Sequence, residues 1–447
     1  MVNESFVVGI IGMGAMGSMY AKRLADAGWS VFVNATSGLG LIIRYRVNAC
    51  DREEKYEVLK KEYADRPNIT VYPNGHLVSR ISDWILYSVE AEIIDQIVAR
   101  FGPSTKQGAI VGGQTSCKAP EVAAFEKHLP ADVAIVSCHS LHGPSVDPKG
   151  QPLVIIKHRA PDSAVELVQD ILACFDSKIV HLTAEQHDII TADTQAVTHA
   201  AFLSMGTAWA ANNQFPWEMG RWVGGIENVK MNLTFRIYSS KWHVYAGLAI
   251  LNPWAKQQIR QYAESVTALF KLMLEGNAEA LTKRVKTAGE AVFGHRPPEL
   301  LLEESVLNKF SIGELKDNEV KTPNSHLTLL AIVDCWWKLG ISPYDHMICS
   351  TPLFRLWLGA TEFLFRQPGL LDETLKAAIE DHTFRSDDLE FTFAARGWSE
   401  CVSFGDFASY RHRFEKIANY FAPRFPEATK VGNEMIKTIL QTTKSGH

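Results

Sequence analysis

Residues 136–146, Val-Ser-Cys-His-Ser-Leu-His-Gly-Pro-Ser-Val, place three chemically capable side chains within five positions: Cys138, His139 and His142. A cysteine and two histidines could bind a metal, pack in a core or take a proton in a reaction. Cys138 and His139 are neighbours on a predicted strand and point to opposite faces, so they could not easily share an ion. The pattern disfavours a metal site. It favours His139 as a general base, with Cys138 packed inward and His142 in a loop at the mouth of the site.

The start of the chain carries a glycine pattern that is typical of dinucleotide-binding folds. Phe6 to Ile11 is an apolar run suited to a buried parallel strand, and G-x-G-x-x-G follows it directly and opens a helical pattern. The first glycine permits a tight turn, the second lets the backbone approach a pyrophosphate, and the third lets the helix pack on the strand. Residues 31–33, Val-Phe-Val, then predict a second strand. We expect the cofactor to contact Gly12, Met13, Gly14, Ala15, Met16 and Gly17.

The ribose-binding acid of this motif is displaced along the chain. It is expected about 20 positions after the glycines, but the matching Asp51 lies 34 positions after Gly17. The dipeptide Asn-Ala occurs at 34–35 and again at 48–49, and removing the fourteen residues 36–49 restores the spacing of 20. We therefore interpret 36–49 as an insertion. It is either an unspliced intron that was translated into the sequence or a real surface loop.

Asp51 and Arg52 together bear on the choice of cofactor. An acid at the end of the second strand favours NAD, because it accepts hydrogen bonds from the ribose hydroxyls. An adjacent arginine can stack on adenine and pair with a 2′-phosphate. Arg52 makes NADP the predicted cofactor.

Further strand and helix patterns complete the fold class. Strands are predicted at 84–89, 109–113, 134–140 and 151–158, and helical spacing takes over from about residue 186. This order predicts an α/β N-terminal Rossmann dinucleotide-binding domain, 1–184, followed by a large all-α domain, 185–447. Ser116 and His139 each come just after a predicted strand, at the carboxyl edge of the sheet, where ligands bind in such folds.

The bulk composition excludes several classes of protein. The net charge is −5, which does not suit a nucleic-acid or anionic-membrane surface. No apolar run reaches the roughly 18 residues that a membrane span needs. The seven cysteines are scattered without a CxxC pair, as expected for reduced thiols. We expect a cytoplasmic protein that acts on a small molecule and has no metal.

Three runs resemble the prephenate dehydrogenase family, most closely its fungal branch. They are VGGQTSCK at 111–118, HSLHGP at 139–144 and EQHDIITADTQAVTHAAFLSMG at 185–206. The resemblance covers residues 6 to about 440, except 36–49. It implies a dinucleotide domain joined to a helical domain. It also implies oxidation of prephenate to 4-hydroxyphenylpyruvate with loss of CO2, on the route to tyrosine.

The resemblance implies roles for four residues. The family's catalytic histidine, in H-P-M-x-G-P, falls on His139, with Ser140 in place of the proline. Its serine in G-S-x-K falls on Ser116, and its histidine in Q-A-x-x-H falls on His199. Its carboxylate-binding arginine, in S-S-P-x-Y-R, falls on Arg355.

These residue types suit the implied reaction. Hydride leaves C4 of prephenate for the nicotinamide as the hydroxyl proton departs, and loss of the carboxylate then makes the ring aromatic. A neutral imidazole near its unperturbed pKa of about 6.5 can accept that proton at neutral pH. Ser116 would hydrogen-bond the same oxygen or hold the imidazole. The planar fork of Arg355 matches a carboxylate.

The helical half contains two pairs of similar segments. Residues 195–210 are similar to 323–338, and residues 236–251 are similar to 348–364. A spacing of about 110–130 residues indicates a duplicated subdomain, with copies at 185–297 and 320–440. Because bacterial members of the family are homodimers, this chain is expected to be either a monomer that folds as a pseudo-dimer or a homodimer. The alternative is that similar helices share only their apolar spacing.

Three other functions stay open from the sequence. An arogenate dehydrogenase shares the same motifs. A β-hydroxyacid dehydrogenase would suit GIIGMGAMG, but no motif for the catalytic lysine of that class is found. A redox sensor that binds NADP without turnover would lack a base or an anchor, whereas His139, Ser116 and Arg355 are all present.

Overall fold

The computed structural model describes most of the chain as two compact units, 1–188 and 189–447. The described residues are 6–27, 31–33, 41–43, 46–144, 146–215, 225–295, 300–302, 324–426, 428, 430 and 432. For 31–33, 41–43 and 348 only the backbone is described.

The first unit is built on an eight-stranded sheet in the order β10-β9-β8-β7-β6-β1-β4-β5. All neighbouring strands are parallel except β8 and β9, which are antiparallel. The four strands predicted after residue 80 are confirmed as β6 to β9. The strands are β1 Val7–Ile11, β2 Val31–Val33, β3 Leu41–Ile43, β4 Arg46–Cys50, β5 Ile69–Val71, β6 Trp84–Tyr87, β7 Ile110–Gly113, β8 Ala134–Ser140, β9 Pro152–Arg159 and β10 Lys178–Leu182.

Both faces of this sheet are buried, which is why its strands are nearly continuous apolar runs. Val8 and Ile10 of β1 face one apolar cluster, whereas Ile11 faces another. The alternation follows from the two-residue period of a strand. The covering helices are α1 Ala15–Asp26, α2 Tyr56–Glu62, α3 Gly75–Ile81, α4 Ile94–Phe101, α5 Lys118–His128, α6 Asp162–Leu172 and α7 Ala184–Thr191.

The strand beside β1 is not the one that the sequence suggested. Residues 31–33 pair with 41–43 in a separate antiparallel hairpin, and β4, residues 46–50, pairs in parallel with β1 instead. Residues 46–49, which the sequence analysis placed inside the insertion, thus belong to the central sheet. The reason is that Val-Asn-Ala occurs at 33–35 and again at 47–49. Removing 33–46 or 36–49 leaves the same sequence, so the sequence could not decide which copy forms the strand.

The second unit is helical throughout its described residues, as predicted. A π-helical turn, Ala192–Ala196, leads into its first long helix. Its apolar side chains form one core that all of the long helices share. The helices are α8 Val197–Ala211, α9 Gly225–Tyr238, α10 Trp242–Leu251, α11 Pro253–Leu274, α12 Ala278–Phe293, α13 Leu327–Leu339, α14 Pro352–Arg366, α15 Leu370–Glu380, α16 Arg385–Phe404 and α17 Phe407–Phe421.

The packing of these helices is reciprocal between an earlier and a later set. The earlier set is α8, α10, α11 and α12, and the later set is α13, α14, α16 and α17. Helix α8 packs on α16 while α13 packs on α11, and the two long helices α11 and α16 pack on each other. Likewise α8 and α10 contact α17, while α13 and α14 contact α12. Each set therefore covers the first helix of the other.

Among the described residues, no helix is both long enough and apolar enough to cross a membrane.

Deleting residues 33–46 tests the assignment of the strand beside β1. We expect the shortened chain to be at least as stable as the full chain, because β4 keeps Val47 to Cys50 and the connection that must be closed is shorter. The gain from shortening a loop of this size is about 1 kcal/mol in the free energy of unfolding. Urea denaturation measures it.

The matched control deletes the fourteen residues 38–51, which removes β4 and Asp51, and it should abolish the folded state. A 33–46 deletion that unfolds as readily as this control would contradict the assignment.

Candidate active site

The glycine turn after β1 has the geometry that a dinucleotide requires. Gly12 has φ +102°, which a residue with a side chain rarely adopts. A Cβ on Gly17 would lie 2.0 Å from the carbonyl oxygen of Gly12, so only glycine lets α1 approach the turn. A Cβ on Gly14, at the N-cap of α1, would meet no described atom within 4 Å. The approach to the helix N-terminus is therefore open, which fits a pyrophosphate.

Asp51 lies directly after β4 and connects that strand to the glycine turn. Its carboxylate accepts hydrogen bonds from the backbone N–H of Met13 at 2.8 Å and of Arg52 at 2.7 Å. The Asp51 side chain is nearly buried, whereas that of Arg52 is 70% exposed. This pair fits a ribose on the carboxylate and a phosphate on the guanidinium.

His139, the second-last residue of β8, starts a chain of buried hydrogen bonds. Its Nδ1 lies 2.8 Å from Nε2 of His187, and Nδ1 of His187 lies 2.9 Å from the carboxylate of Asp188. Asp188 also accepts from the backbone N–H of Lys118 at 2.7 Å and of Ala119 at 2.8 Å. The carboxylate therefore both caps α5 and orients the two imidazoles.

A buried ion pair lies behind this chain. Lys118 and Glu121 have fully buried side chains, with Nζ 3.0 Å from Oε1. Nζ of Lys118 also donates to the carbonyls of Gly113, at the end of β7, and Cys138, beside His139 on β8, both at 3.1 Å. Glu121 accepts from Ser137 at 2.6 Å and from Thr115, whose backbone N–H is at 3.0 Å. These bonds fix the ends of β7 and β8 against each other.

The electrostatic environment keeps His139 neutral. Burial lowers its pKa well below the ordinary value, and His187 and the Lys118 ammonium lower it further. The sequence analysis expected a pKa close to 6.5, and that expectation was wrong because the sequence does not reveal the buried cation. Burial also lowers the pKa of His187, although Asp188 acts in the opposite direction. Burial acts to raise the pKa of Asp188, but its hydrogen bonds outweigh that effect and leave the pKa below its ordinary value.

The other residues of the 136–146 stretch have separate roles. Cys138 is fully buried, and burial raises the pKa of its thiol to about 12. Nδ1 of His142 lies 3.0 Å from the carbonyl of Gly143 in the loop after β8. Ser140, where the family has proline, has its Oγ 2.6 Å from the hydroxyl of Tyr20 on α1. In the described part of the chain, no three His, Cys, Asp or Glu side chains are grouped to hold a metal ion.

Ser116 is half-buried in the loop between β7 and α5. The three residues that follow it all contact Asp188: Cys117 through its thiol at 3.5 Å, and Lys118 and Ala119 through their backbone N–H groups. The loop that carries Ser116 is thereby joined to the chain of imidazoles that ends at His139.

His199 lies in the second unit, in the first turn of α8. Its ring packs edge-on against Tyr245, with centroids 4.7 Å apart, and its Nδ1 has no hydrogen-bond partner among the described residues. Burial lowers its pKa to about 3, so the imidazole is neutral at physiological pH. The adjacent cavity gives the centre of a water molecule only about 10 Å³, which is room for a single water at most.

Two arginines of the second unit differ in their surroundings. Arg355 donates from Nε to Ser350 Oγ at 2.8 Å and from Nη2 to the carbonyl of Met347 at 3.0 Å, so it holds the turn before α14. Arg236, which the sequence analysis did not select, lies on α9 close enough to Tyr245 for each to influence the other's pKa. Tyr245 in turn packs on His199.

The sequence analysis also missed His187, Asp188, Lys118 and Glu121. The first two stand in the EQHD run and Lys118 in the TSCK run, both quoted for the resemblance. A His-Asp dipeptide at a helix start, following a strand that ends in histidine, was the available signal.

Comparison with known proteins agrees with this architecture. A family model described as a 6-phosphogluconate dehydrogenase C-terminal domain matches residues 196–441, and one for NADP oxidoreductases matches residues 7–111. The prephenate dehydrogenase (NADP+) of Saccharomyces cerevisiae is 55% identical over 442 residues, which are 97% of this chain and 94% of that protein. A protein of Schizosaccharomyces pombe described as a probable prephenate dehydrogenase (NADP+) is 58% identical over 444 residues, 98% of this chain and 99% of its own length.

A more distant relative is a probable arogenate/prephenate dehydrogenase of Methanocaldococcus jannaschii. It is 22% identical over 295 residues, which are 65% of this chain and 62% of that protein. The two fungal relatives align over nearly their whole length at more than half identity, and their matches include both the glycine turn and the helical unit. This chain therefore belongs to the prephenate dehydrogenase family.

Proposed function

We propose that this protein is an NADP-dependent dehydrogenase that converts prephenate to 4-hydroxyphenylpyruvate and CO2 in tyrosine biosynthesis. The observation that carries the proposal is His139, a neutral imidazole at the carboxyl edge of a dinucleotide-binding sheet. Its hydrogen-bonded chain to Asp188 leaves Nε2 as the nitrogen able to accept a proton. The names of the two fungal relatives support the same substrate and cofactor.

The residues of the glycine turn and the end of β4 would hold the cofactor. Backbone N–H groups at the start of α1 suit the pyrophosphate, Asp51 suits the ribose, and the exposed Arg52 suits the 2′-phosphate that distinguishes NADP. When bound, NADP supplies the acceptor for the hydride. The protein has to bind the ring, remove the hydroxyl proton and stabilise the substrate's carboxylates.

His139 and Ser116 are the proposed catalytic residues of the first unit. His139 Nε2 would take the hydroxyl proton while the C–H bond at the same carbon gives up its hydride. The Ser116 hydroxyl would hydrogen-bond the same oxygen. His199 is proposed to act as a neutral side chain, because its low pKa excludes a cationic role at physiological pH.

We propose that the protein works in the cytoplasm as a single chain. None of its seven cysteines, all of which the structure describes, forms a disulfide, and this fits a reducing compartment. The reciprocal packing of α8 with α16 and α13 with α11 supports the proposed duplication, because it is the pattern of two copies related by an approximate twofold axis.

Nicotinamide reduction by the purified full chain tests the function. We expect turnover with prephenate and NADP, and slower turnover with NAD or with arogenate. His139→Asn should lower kcat by about 10²–10⁴-fold, because it removes general-base catalysis. The control is His128→Gln, which changes an exposed histidine paired with Asp95 and should leave kcat unchanged. Preference for arogenate would shift the substrate assignment, and no turnover by the folded wild-type chain would favour the sensor alternative.

Alanine substitutions distinguish the two arginines that could anchor a substrate carboxylate. We expect Arg236→Ala to raise KM for prephenate by about 10–100-fold, because a charge-assisted hydrogen bond contributes about 1.5–3 kcal/mol. Arg355→Ala should mainly lower the thermal midpoint, because its donors hold Ser350 and Met347. Steady-state kinetics and thermal unfolding of both variants decide. A large KM effect of Arg355→Ala with little effect of Arg236→Ala would restore Arg355 as the anchor.

Light scattering tests the single-chain assembly. We expect a mass near 49.8 kDa at micromolar concentration, because each set of helices already covers the other set. A stable mass of twice that value would refute the monomeric pseudo-dimer.

A further inference from the structure

The hydrogen-bonded chain of His139, His187 and Asp188 defines which nitrogen carries each proton. Asp188 accepts four hydrogen bonds, from Cys117, Lys118, Ala119 and His187, as an ionised carboxylate does. Nδ1 of His187 must then be the donor to Asp188, which makes Nε2 of His187 an acceptor. Nδ1 of His139 must donate to that acceptor, so the lone pair of His139 lies on Nε2.

This order of donors and acceptors addresses a difficulty in the proposed reaction. His139 is buried, and the groups that face it are His187, His142 and the Lys118 ammonium. A positive charge on its ring is therefore unfavourable. His187 faces Lys118 as well, but it also contacts Asp188 and lies within the influence of Glu121. A positive charge is more favourable on His187 than on His139.

We propose that His187 and Asp188 are positioning residues through which His139 works, and that His187 holds the substrate's hydroxyl proton during the reaction. As the hydroxyl proton moves to Nε2 of His139, the proton on Nδ1 of His139 moves to Nε2 of His187. The charge then lies on an imidazolium that is paired with the Asp188 carboxylate. This inference rests on the proposed oxidation of prephenate.

The balance of the reaction calls for such a store. Hydride transfer and loss of the proton leave a ring ketone, and departure of CO2 leaves its electron pair to make the ring aromatic. The product oxygen is then a phenolate, which must take up a proton. A proton held on His187 can return through His139 to that oxygen, so the buried site needs no exchange with solvent between the two steps.

A purely structural role is the competing explanation, because Asp188 caps α5. Asp188→Asn can still accept from the backbone N–H groups, so it keeps the cap. Its amide N–H₂, however, would donate to Nδ1 of His187 and reverse both tautomers, placing a proton on Nε2 of His139. His187→Gln can still accept from Nδ1 of His139, so it keeps the orientation but cannot hold a proton.

The pH dependence of kcat/KM, measured for these two variants and for His128→Gln, tests the proposal. His128 is the matched control, since it forms an exposed pair with Asp95 at 2.9 Å. We expect His187→Gln to lower kcat by about 10–100-fold and to move the acid limb to lower pH. That limb would then report His139 alone rather than the coupled pair. Asp188→Asn should lower kcat by about 10²–10⁴-fold, with KM nearly unchanged.

The results separate the alternatives. A lower thermal midpoint in both variants with unchanged kcat and acid limb would show a structural role and overturn the proposal. Nitrogen chemical shifts of ¹⁵N-histidine protein give a readout that does not depend on turnover. They should show protons on Nδ1 of both His139 and His187, and the first proton added at low pH should go to His187. If wild-type protein did not oxidise prephenate, the function would fail while these shifts still decided the tautomers, and protons on Nε2 would refute the relay.

Discussion

The site depends on how the charge of Lys118 is compensated. An ammonium with no exposure to solvent is stable only when its donors are satisfied and a counter-charge is close. The two carbonyls that satisfy it belong to the last residue of β7 and to the residue before His139 on β8. The same carboxylate that balances it, Glu121, also binds Ser137 and Thr115. Removing one partner would leave a buried charge, so the ends of both strands are fixed by an electrostatic requirement.

This requirement links structure to chemistry. The cation that fixes the strand ends also makes a second positive charge on His139 unfavourable, which keeps the imidazole neutral. Asp188 offsets that effect one imidazole further away, and it is placed there by the N-terminal N–H groups of α5. The distribution of two negative and one positive buried charges therefore decides where a proton can rest.

The sequence predicted what is encoded locally. The glycine turn, the apolar strands and the change to helical spacing depend on neighbouring residues, and all were found where expected. The strand beside β1 was misplaced because two copies of Val-Asn-Ala satisfy the same pattern. His187 lies 48 positions from His139, and local patterns do not report contacts at that distance. Lys118 was missed for a different reason, since a lysine three residues before a glutamate is the usual pattern of an exposed helix face.

The reciprocal packing of the helical unit has a consequence for how such a chain can evolve. Because α8 is covered by α16, and α13 by α11, neither set of helices can be lost without exposing the first helix of the other. Side chains that only carry chemistry are not bound by this condition. Selection can therefore let one set drift in its polar residues while it keeps the apolar ones. The unit can remain whole in its architecture and become asymmetric in its activity.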